Sequence, residues 1–373
     1  MLQEHVGTDV TICAVVKCNA YGHGVEECGS ALEQAGAKWF GVTSTDEGIV
    51  LREAGITGRI LVLCGLYAGE EEDALRNQLT PAVVRLEDAH AVARAATRMS
   101  LSQRVPVHLK IDTGMARLGL PFAELESFAD GVRRLPQIEL EGVFSHLASS
   151  EALDDEGTRQ QIERFETALR ALAAHGLHPR FRHLANSGAV GARPDTWHNF
   201  VRPGLALYGY EQPAWHRDGS PVTDVSTLRL KPALAWKTHV LGLRDVPAGQ
   251  ALGYGGAYVT PSPARIAVVS VGYGDGLARK ISIASVGAPE TATGRGQVLL
   301  RGQRAPIVGR ISMDLTLVDV TRVAGAAIGD EVVLIGPSGE QEITAWDHAR
   351  WADTVVYETL CNLSKRVPRR HAR

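Results

Sequence analysis

Residues 14–24 read AVVKCNAYGHG. An apolar run ends on Lys17 and passes at once into Tyr21, Gly22, His23 and Gly24, a turn-forming group. The stretch decides between two folds. A doubly wound open sheet carries a G-x-G-x-x-G turn after its first strand, and AYGHG lacks that spacing. In a (β/α)8 barrel, polar residues at the C-terminal ends of strands face the active site. Lys17 leaves a dry strand, and burial disfavours an ammonium, as an imine-forming lysine requires.

Further strands are predicted outward from this one: WFGVTS, RILVLCG, TPAVVR, VPVHLKID, IELEGVFSH, FRHLANS and NFVRPGLALYG. Between them lie stretches of helical period, such as LEDAHAVARAATRM and TRQQIERFETALRALAAHG. In FAELESFADGVRRL, the residues Leu125, Phe128, Val132 and Leu135 share one face. Strands alternating with helices, apolar enough to be covered on both sides, predict an N-terminal (β/α)8 TIM-type barrel over residues 1–224. The Pro-, Gly- and Ser-rich residues 211–226 read as a linker. Residues 225–373 read as a mainly antiparallel β domain with a helical close, so the fold class is α/β followed by β.

The 373 residues exceed one ordinary hydrophobic core, in keeping with two domains. A formal net charge of -3 with no basic block argues against nucleic acid as a partner. The first residues lack a basic start and a long apolar run, and no segment approaches the ~20 apolar residues of a membrane helix. Cysteines at 13, 18, 28, 64 and 361 form no C-x-x-C pair, which reads as reduced thiols in a cytoplasmic protein. Cys13 is expected in the core.

The barrel expectation gathers the residues that end its strands. They are Lys17, Lys110 with Asp112 and Arg117, His146, then His183, Asn186 and Ser187, and finally Arg202, Gly204 and Leu205. The set is cationic and holds no carboxylate cluster, so no metal site and no metal-dependent hydrolase is expected. A hydroxyl at Ser187 and backbone N–H groups at Gly204 suit a phosphate, which barrels hold at these loops. A lysine beside a phosphate site suggests pyridoxal phosphate (PLP) or a phosphorylated sugar.

The motifs AVVKCNAYGHG, VHLKIDTGMARLG, FSHLASSE, HLANSGA, VRPGLALYG, LGYGGAY, VGYGDG, GRISMDLTLVDV and TVVYETLCNLSKRVPR occur in the order and spacing of alanine racemases, which the chain resembles from about residue 10 to about 370. The resemblance implies a PLP enzyme that interconverts L- and D-alanine and supplies D-alanine for peptidoglycan. It implies a homodimer whose active sites draw on both chains. Lys17 would carry PLP as an aldimine. Tyr21, Ser187, the N–H groups of Gly204 and Leu205, and Tyr357 would hold the phosphate. Tyr254 of the partner subunit would be the second base, with His146, tied to Arg202, beside it. Two bases are needed because one group cannot take a proton from one face and return it to the other. Arg202 would bond the pyridine nitrogen and, staying protonated, leave the ring a weak electron sink. Arg117, Met313 and Tyr273 would bind the substrate carboxylate and narrow the entrance, and Lys110 matches a lysine often carbamylated.

Taken singly, these residues read more plainly. Tyr254 and Tyr273 would be turn aromatics, Arg117 a surface arginine, His183 a support for its loop and Asp314 a partner for a cation. Only 16 residues precede Lys17, where the family usually carries a longer lead. A broad-specificity racemase, a PLP decarboxylase and a non-catalytic PLP carrier are the competing readings. The C-terminal motifs weigh against the carrier.

Overall fold

The computed structural model describes residues 1–216, 218, 220–222, 228–282 and 296–371. The chain forms two compact units, Met1–Lys231 and Pro232–Arg373. The domain boundary drawn between 224 and 225 lies outside the described residues.

The first unit is a parallel barrel. Its strands are β1 (Thr11–Val15), β2 (Trp39–Val42), β3 (Arg59–Val62), β4 (Leu79–Val83), β5 (Val105–Asp112), β6 (Ile138–Phe144), β7 (Phe181–His183) and β8 (Phe200–Val201). Each pairs with the next in parallel from β1 to β7, and β8 pairs with β1. The remaining gap, between β7 and β8, is bridged by a side chain that imitates a ladder. Arg182 N donates to Asn199 Oδ1 (2.9 Å) and Asn199 Nδ2 donates to Arg180 O (2.8 Å). Arg202 N then donates to Ala185 O at 3.0 Å. This closure distinguishes the barrel from an open doubly wound sheet.

Strands β2 and β4 are buried along their whole length, as expected of strands covered on both faces. Helices such as Leu86–Arg98 and Glu156–Ala174 lay apolar faces on the barrel, burying Val92, Phe165 and Leu172 among others. Asp155 caps the second of these by accepting from Thr158 N at 2.7 Å. Inside the barrel, Cys13, Trp39, Leu61, Phe181 and Phe200 form a separate apolar layer. Two sequence expectations were too long. Lys17 does not lie in β1, which ends at Val15, and the eighth strand is only Phe200–Val201, because Leu205–Tyr208 forms a 3-10 turn. The start of the expected linker is also tied down. Trp215 N donates to Glu151 O (3.0 Å), and Trp215 O accepts from Leu153 N (3.2 Å).

The second unit is antiparallel. Its main strands are β9 (Trp236–Val246), β10 (Ala264–Val269), β11 (Gln297–Leu300), β12 (Gln303–Val308), β13 (Thr316–Asp319), β14 (Glu331–Ser338) and β15 (Gln341–Ile343). Their order is β9-β10-β13-β12-β11-β14-β15, and β9 also pairs with β14, so six strands close into a ring. Helices Ala345–Ala352 and Val356–Cys361 follow. Among the described residues no helix is long and apolar enough to cross a membrane.

Candidate active site

The chain after β1 turns in an unusual way. Cys18, Asn19, Ala20 and Tyr21 all have φ between 52° and 54°, a complete turn of left-handed helix that begins directly after Lys17. Side chains from elsewhere hold it. Cys18 N donates to Glu47 Oε1 (2.6 Å), while Glu47 Oε2 accepts from Thr43 N (2.8 Å). Asn19 Oδ1 accepts from Val25 N at 2.9 Å. Tyr208 stacks on His23 with ring centroids 4.5 Å apart, and its hydroxyl donates to Val15 O. Lys17 is thereby displayed, half-buried, at the C-terminal end of β1.

Beside it, the loops after β7 and β8 meet. Ser187 Oγ accepts from Gly204 N (2.8 Å) and Ala206 N (3.3 Å). Asn186 caps the short helix Ser187–Ala192 through Ala189 N at 3.1 Å. Gly204 lies against the Tyr21 ring, where a Cβ would come within 2.9 Å of Cζ. Tyr21, Ser187, Gly204 and Leu205 thus meet in one cradle of hydroxyl and backbone N–H groups. That chemistry fits a phosphate.

The electrostatics of the mouth point the same way. Lys110 is buried, and burial, followed among the cations by Arg202, Arg117 and Lys17, pulls its ammonium down to about 8 despite the opposing pull of Cys64. Its Nζ lies 5.6 Å from the Phe144 ring centroid, and the Arg202 guanidinium carbon lies 5.2 Å from the same centroid. Burial also lowers Arg202, to about 10, with Cys13 opposing, so the guanidinium keeps its charge near neutral pH. Among the described residues none of Lys17, Lys110, Arg117 and Arg202 forms an ion pair with a carboxylate. An array of uncompensated cations accommodates an anionic ligand. Arg117 is exposed on a loop whose shape Asp112 sets, its Oδ1 accepting from Gly114 N and Ala116 N.

The histidines require a correction. The residue hydrogen-bonded to Arg202 is His183, not His146. Arg202 Nη1 donates to His183 Nδ1 (3.1 Å) and His183 O (2.9 Å), and Nη2 donates to Ser145 O (2.6 Å) and Leu184 O (3.2 Å). Burial, then Arg202, Arg117, Lys110 and Lys17, press His146 down to about 3. It is a neutral ring near pH 7, able to share a hydrogen bond but not to supply positive charge. Lys17 is half-buried.

In the second unit Tyr254 opens the turn Tyr254–Gly256 and is 69% exposed, while Tyr273 opens Tyr273–Asp275 at 44% and Met313 stands at 53%. Tyr273 N donates to Ser312 O (3.0 Å) and Gly274 N to Met313 O (2.9 Å), which joins the two loops. Arg366 braces them through Asp275 and Asp314, each at 2.8 Å. Asp314 is therefore a structural partner of a cation, as expected. Tyr357 is half-buried on helix Val356–Cys361.

The sequence reading passed over Glu47 and Asn19, whose only signal was a position near the start of an element. It also passed over His108 and Glu141, polar residues inside otherwise apolar strands.

The family pattern described as "Alanine racemase, N-terminal domain" matches residues 1–212, and "Alanine racemase, C-terminal domain" matches residues 233–371. The alanine racemase of Symbiobacterium thermophilum is 41% identical over 359 residues, 96% of this chain and 89% of that protein. That of Geobacter sulfurreducens is 40% identical over 362 residues, with coverage of 96% and 89%. Among solved structures, the alanine racemase of a D-cycloserine producing Streptomyces lavendulae aligns with a TM-score of 0.87 and 34% identity, covering 100% of this chain and 92% of that one. The Bacillus anthracis alanine racemase with bound L-Ala-P aligns with a TM-score of 0.86 and 32% identity, covering 100% and 91%. With both domains matched and relatives similar along nearly its whole length, the chain belongs to the alanine racemase family.

Proposed function

We propose that this protein interconverts L- and D-alanine with PLP held at the barrel mouth. The observation that carries the reading is the group of four cations that pair with no carboxylate among the described residues, beside a cradle closed by Ser187, Gly204 and Tyr21. When bound, PLP supplies an electron-withdrawing ring that stabilises negative charge at the substrate α-carbon. Tyr21, Ser187, Tyr357 and the N–H groups of Gly204 and Leu205 would hold its phosphate. Arg202 would donate a hydrogen bond to its ring nitrogen without giving up its own proton.

Lys17 anchors the cofactor and moves a proton at the α-carbon on one face. Tyr254, contributed by a second copy of the chain, moves a proton on the other. The strong exposure of Tyr254, Tyr273 and Met313 supports a homodimer that covers them. Arg117, Tyr273 and Met313 bind the carboxylate and restrict the entrance to a small side chain. A neutral His146 hydrogen-bonds at this site rather than carrying charge. Lys110, at about 8, holds enough free amine to combine with CO2, and the resulting carbamate would orient Arg117. Labelled bicarbonate should then give a 13C carbamate signal that Lys110→Ala abolishes; a signal untouched by that change rejects the assignment. In the cell the product would serve peptidoglycan synthesis in the cytoplasm, which rescue of a D-alanine auxotroph would test.

The direct test incubates the purified protein and PLP with L-alanine, and in parallel with L-serine, in D2O. D-alanine carrying deuterium at Cα, with no CO2, is the expected product. Lys17→Ala should abolish it, and Tyr254→Phe should lower kcat by roughly 10²–10⁴-fold. Equal rates on serine would make this a broad-specificity racemase, and release of CO2 would make it a decarboxylase.

A further inference from the structure

The barrel interior holds ionisable side chains that the proposed reaction does not use. From Arg202 they can be followed link by link. Arg202 Nη1 meets His183 Nδ1 at 3.1 Å, and His183 Nε2 meets His108 Nδ1 at 2.9 Å. His108 Nε2 lies 3.5 Å from Glu141 Oε2, a charge contact in which neither atom makes a hydrogen bond, and Glu141 Oε1 pairs with Arg59 Nη1 at 2.5 Å. Arg59 opens β3 at the opposite end of the barrel and is partly exposed, with its guanidinium 4.1 Å from the Trp39 ring centroid. His108 and His183 are fully buried.

Only one proton order satisfies both hydrogen bonds and also turns an N–H towards the Glu141 carboxylate. A guanidinium can donate but not accept, so His183 Nδ1 must be the acceptor. The His183 proton then sits on Nε2 and donates to His108 Nδ1. The His108 proton sits on its own Nε2 and points at the Glu141 carboxylate. Reversing the order would set an N–H of His183 against an N–H of Arg202 and leave Glu141 without a donor from His108. Both rings are neutral in this arrangement. In agreement, burial, then Arg202, hold His183 well below the ordinary histidine range, and burial lowers His108 against the opposing pull of Glu141.

The backbone is built around this chain. Between β5 and β6 the register slips: Val107 pairs with Leu140 but His108 pairs with Gly142, so Glu141 is the extra residue of a bulge. A bulge re-aims a side chain, and here Glu141 is buried in a strand whose preceding residues, Glu139 and Leu140, are more exposed. Gly142 makes room for the imidazole, since a Cβ there would lie 2.6 Å from His108 Cγ. Trp39, Phe181 and Phe200 surround that ring, with centroids 5.4, 5.9 and 6.1 Å away.

We propose that Glu141 and His108 are positioning residues, which hold the His183 proton on Nε2 and thereby keep the Arg202 guanidinium aimed in the barrel mouth. The consequence for racemisation rests on the function proposed above; the proton order does not.

The test uses PLP-loaded protein with 15N-labelled histidine and long-range 1H–15N correlation, with His108→Gln assigning the signals. Both rings should carry hydrogen on Nε2 and none on Nδ1. Glu141→Gln keeps one acceptor oxygen, which the Arg59 guanidinium claims, and so turns an amide donor towards His108. It should shift hydrogen towards Nδ1 in both rings and lower kcat about tenfold with KM for alanine nearly unchanged. Glu141→Asp should restore the original tautomers and most of the rate. An Nδ1-protonated His183 in the unsubstituted protein overturns the proposal, as do unaltered tautomers in Glu141→Gln. The unsubstituted spectrum decides by itself if that variant does not fold. A protein with the stated tautomers but no alanine racemisation would refute the function and leave the proton chain standing.

Discussion

Gly204 shows how one residue can be set by its neighbour rather than by its own backbone. Its φ of -119° lies outside the left-handed region that favours glycine, and a Cβ there would run into the Tyr21 ring. Gly204→Ala should push that ring away and split the cradle shared with Ser187. Overpacking of this kind costs about 1–3 kcal/mol, and we expect it to appear as weaker PLP binding in an absorbance titration. An unchanged Kd would mean that Tyr21 and Gly204 do not hold the phosphate. The same scale explains the histidine correction. His146 follows one apolar strand and His183 ends another, and only the hydrogen-bond geometry around Arg202 tells them apart.

At the scale of an element, the left-handed turn after Lys17 is the unusual feature. For non-glycine residues that conformation costs roughly 1–2 kcal/mol each, and four occur in succession. Glu47 and Asn19 secure it by accepting the Cys18 and Val25 N–H groups. Strain retained beside a functional lysine positions Lys17 at the mouth instead of letting it run on as strand. Cys18 is exposed, so its replacement isolates the backbone term. Cys18→Gly should raise stability by about 1 kcal/mol in urea unfolding, and Cys18→Val should lower it by a similar amount. A destabilising Cys18→Gly would show that the turn carries no strain.

For the whole molecule, the buried histidines set the response to acid. His146 is held at about 3, His348 at about 4, and His183 well below its ordinary value, in each case chiefly by burial. In the unfolded chain each titrates near ~6.5. Below that pH the unfolded state binds protons that the native state refuses, so stability must fall as pH falls. Each histidine contributes up to about 1.4 kcal/mol per pH unit until its native value is reached. Urea midpoints should therefore drop between about pH 6.5 and about pH 4. His348→Gln, which can keep the hydrogen bond to Leu334 O, should remove one histidine's share of the slope. Midpoints constant over this range would contradict native burial of neutral histidine.

The alternation of apolar runs with helical stretches carried the barrel and the β domain, because periodicity is local and each strand had to be apolar on both faces. The strand-end rule likewise gathers Lys17, Lys110, Arg117, His146, Ser187, Arg202 and Gly204 on one rim. Three things were not local. Cys18 to Tyr21 reads as an ordinary turn until Glu47, 29 residues away from Cys18, is brought to its N–H. Which histidine serves Arg202 depends on where β7 and β8 meet. Glu141 looks like the outward residue of an alternating strand until pairing with β5 forces a bulge. Sequence by itself determined the elements and the residues at their ends, since hydrophobic period and turn chemistry act over a few residues. Tertiary structure alone decided strain, hydrogen-bond partners and proton order, since these depend on distances between segments that the chain brings together only when the barrel closes.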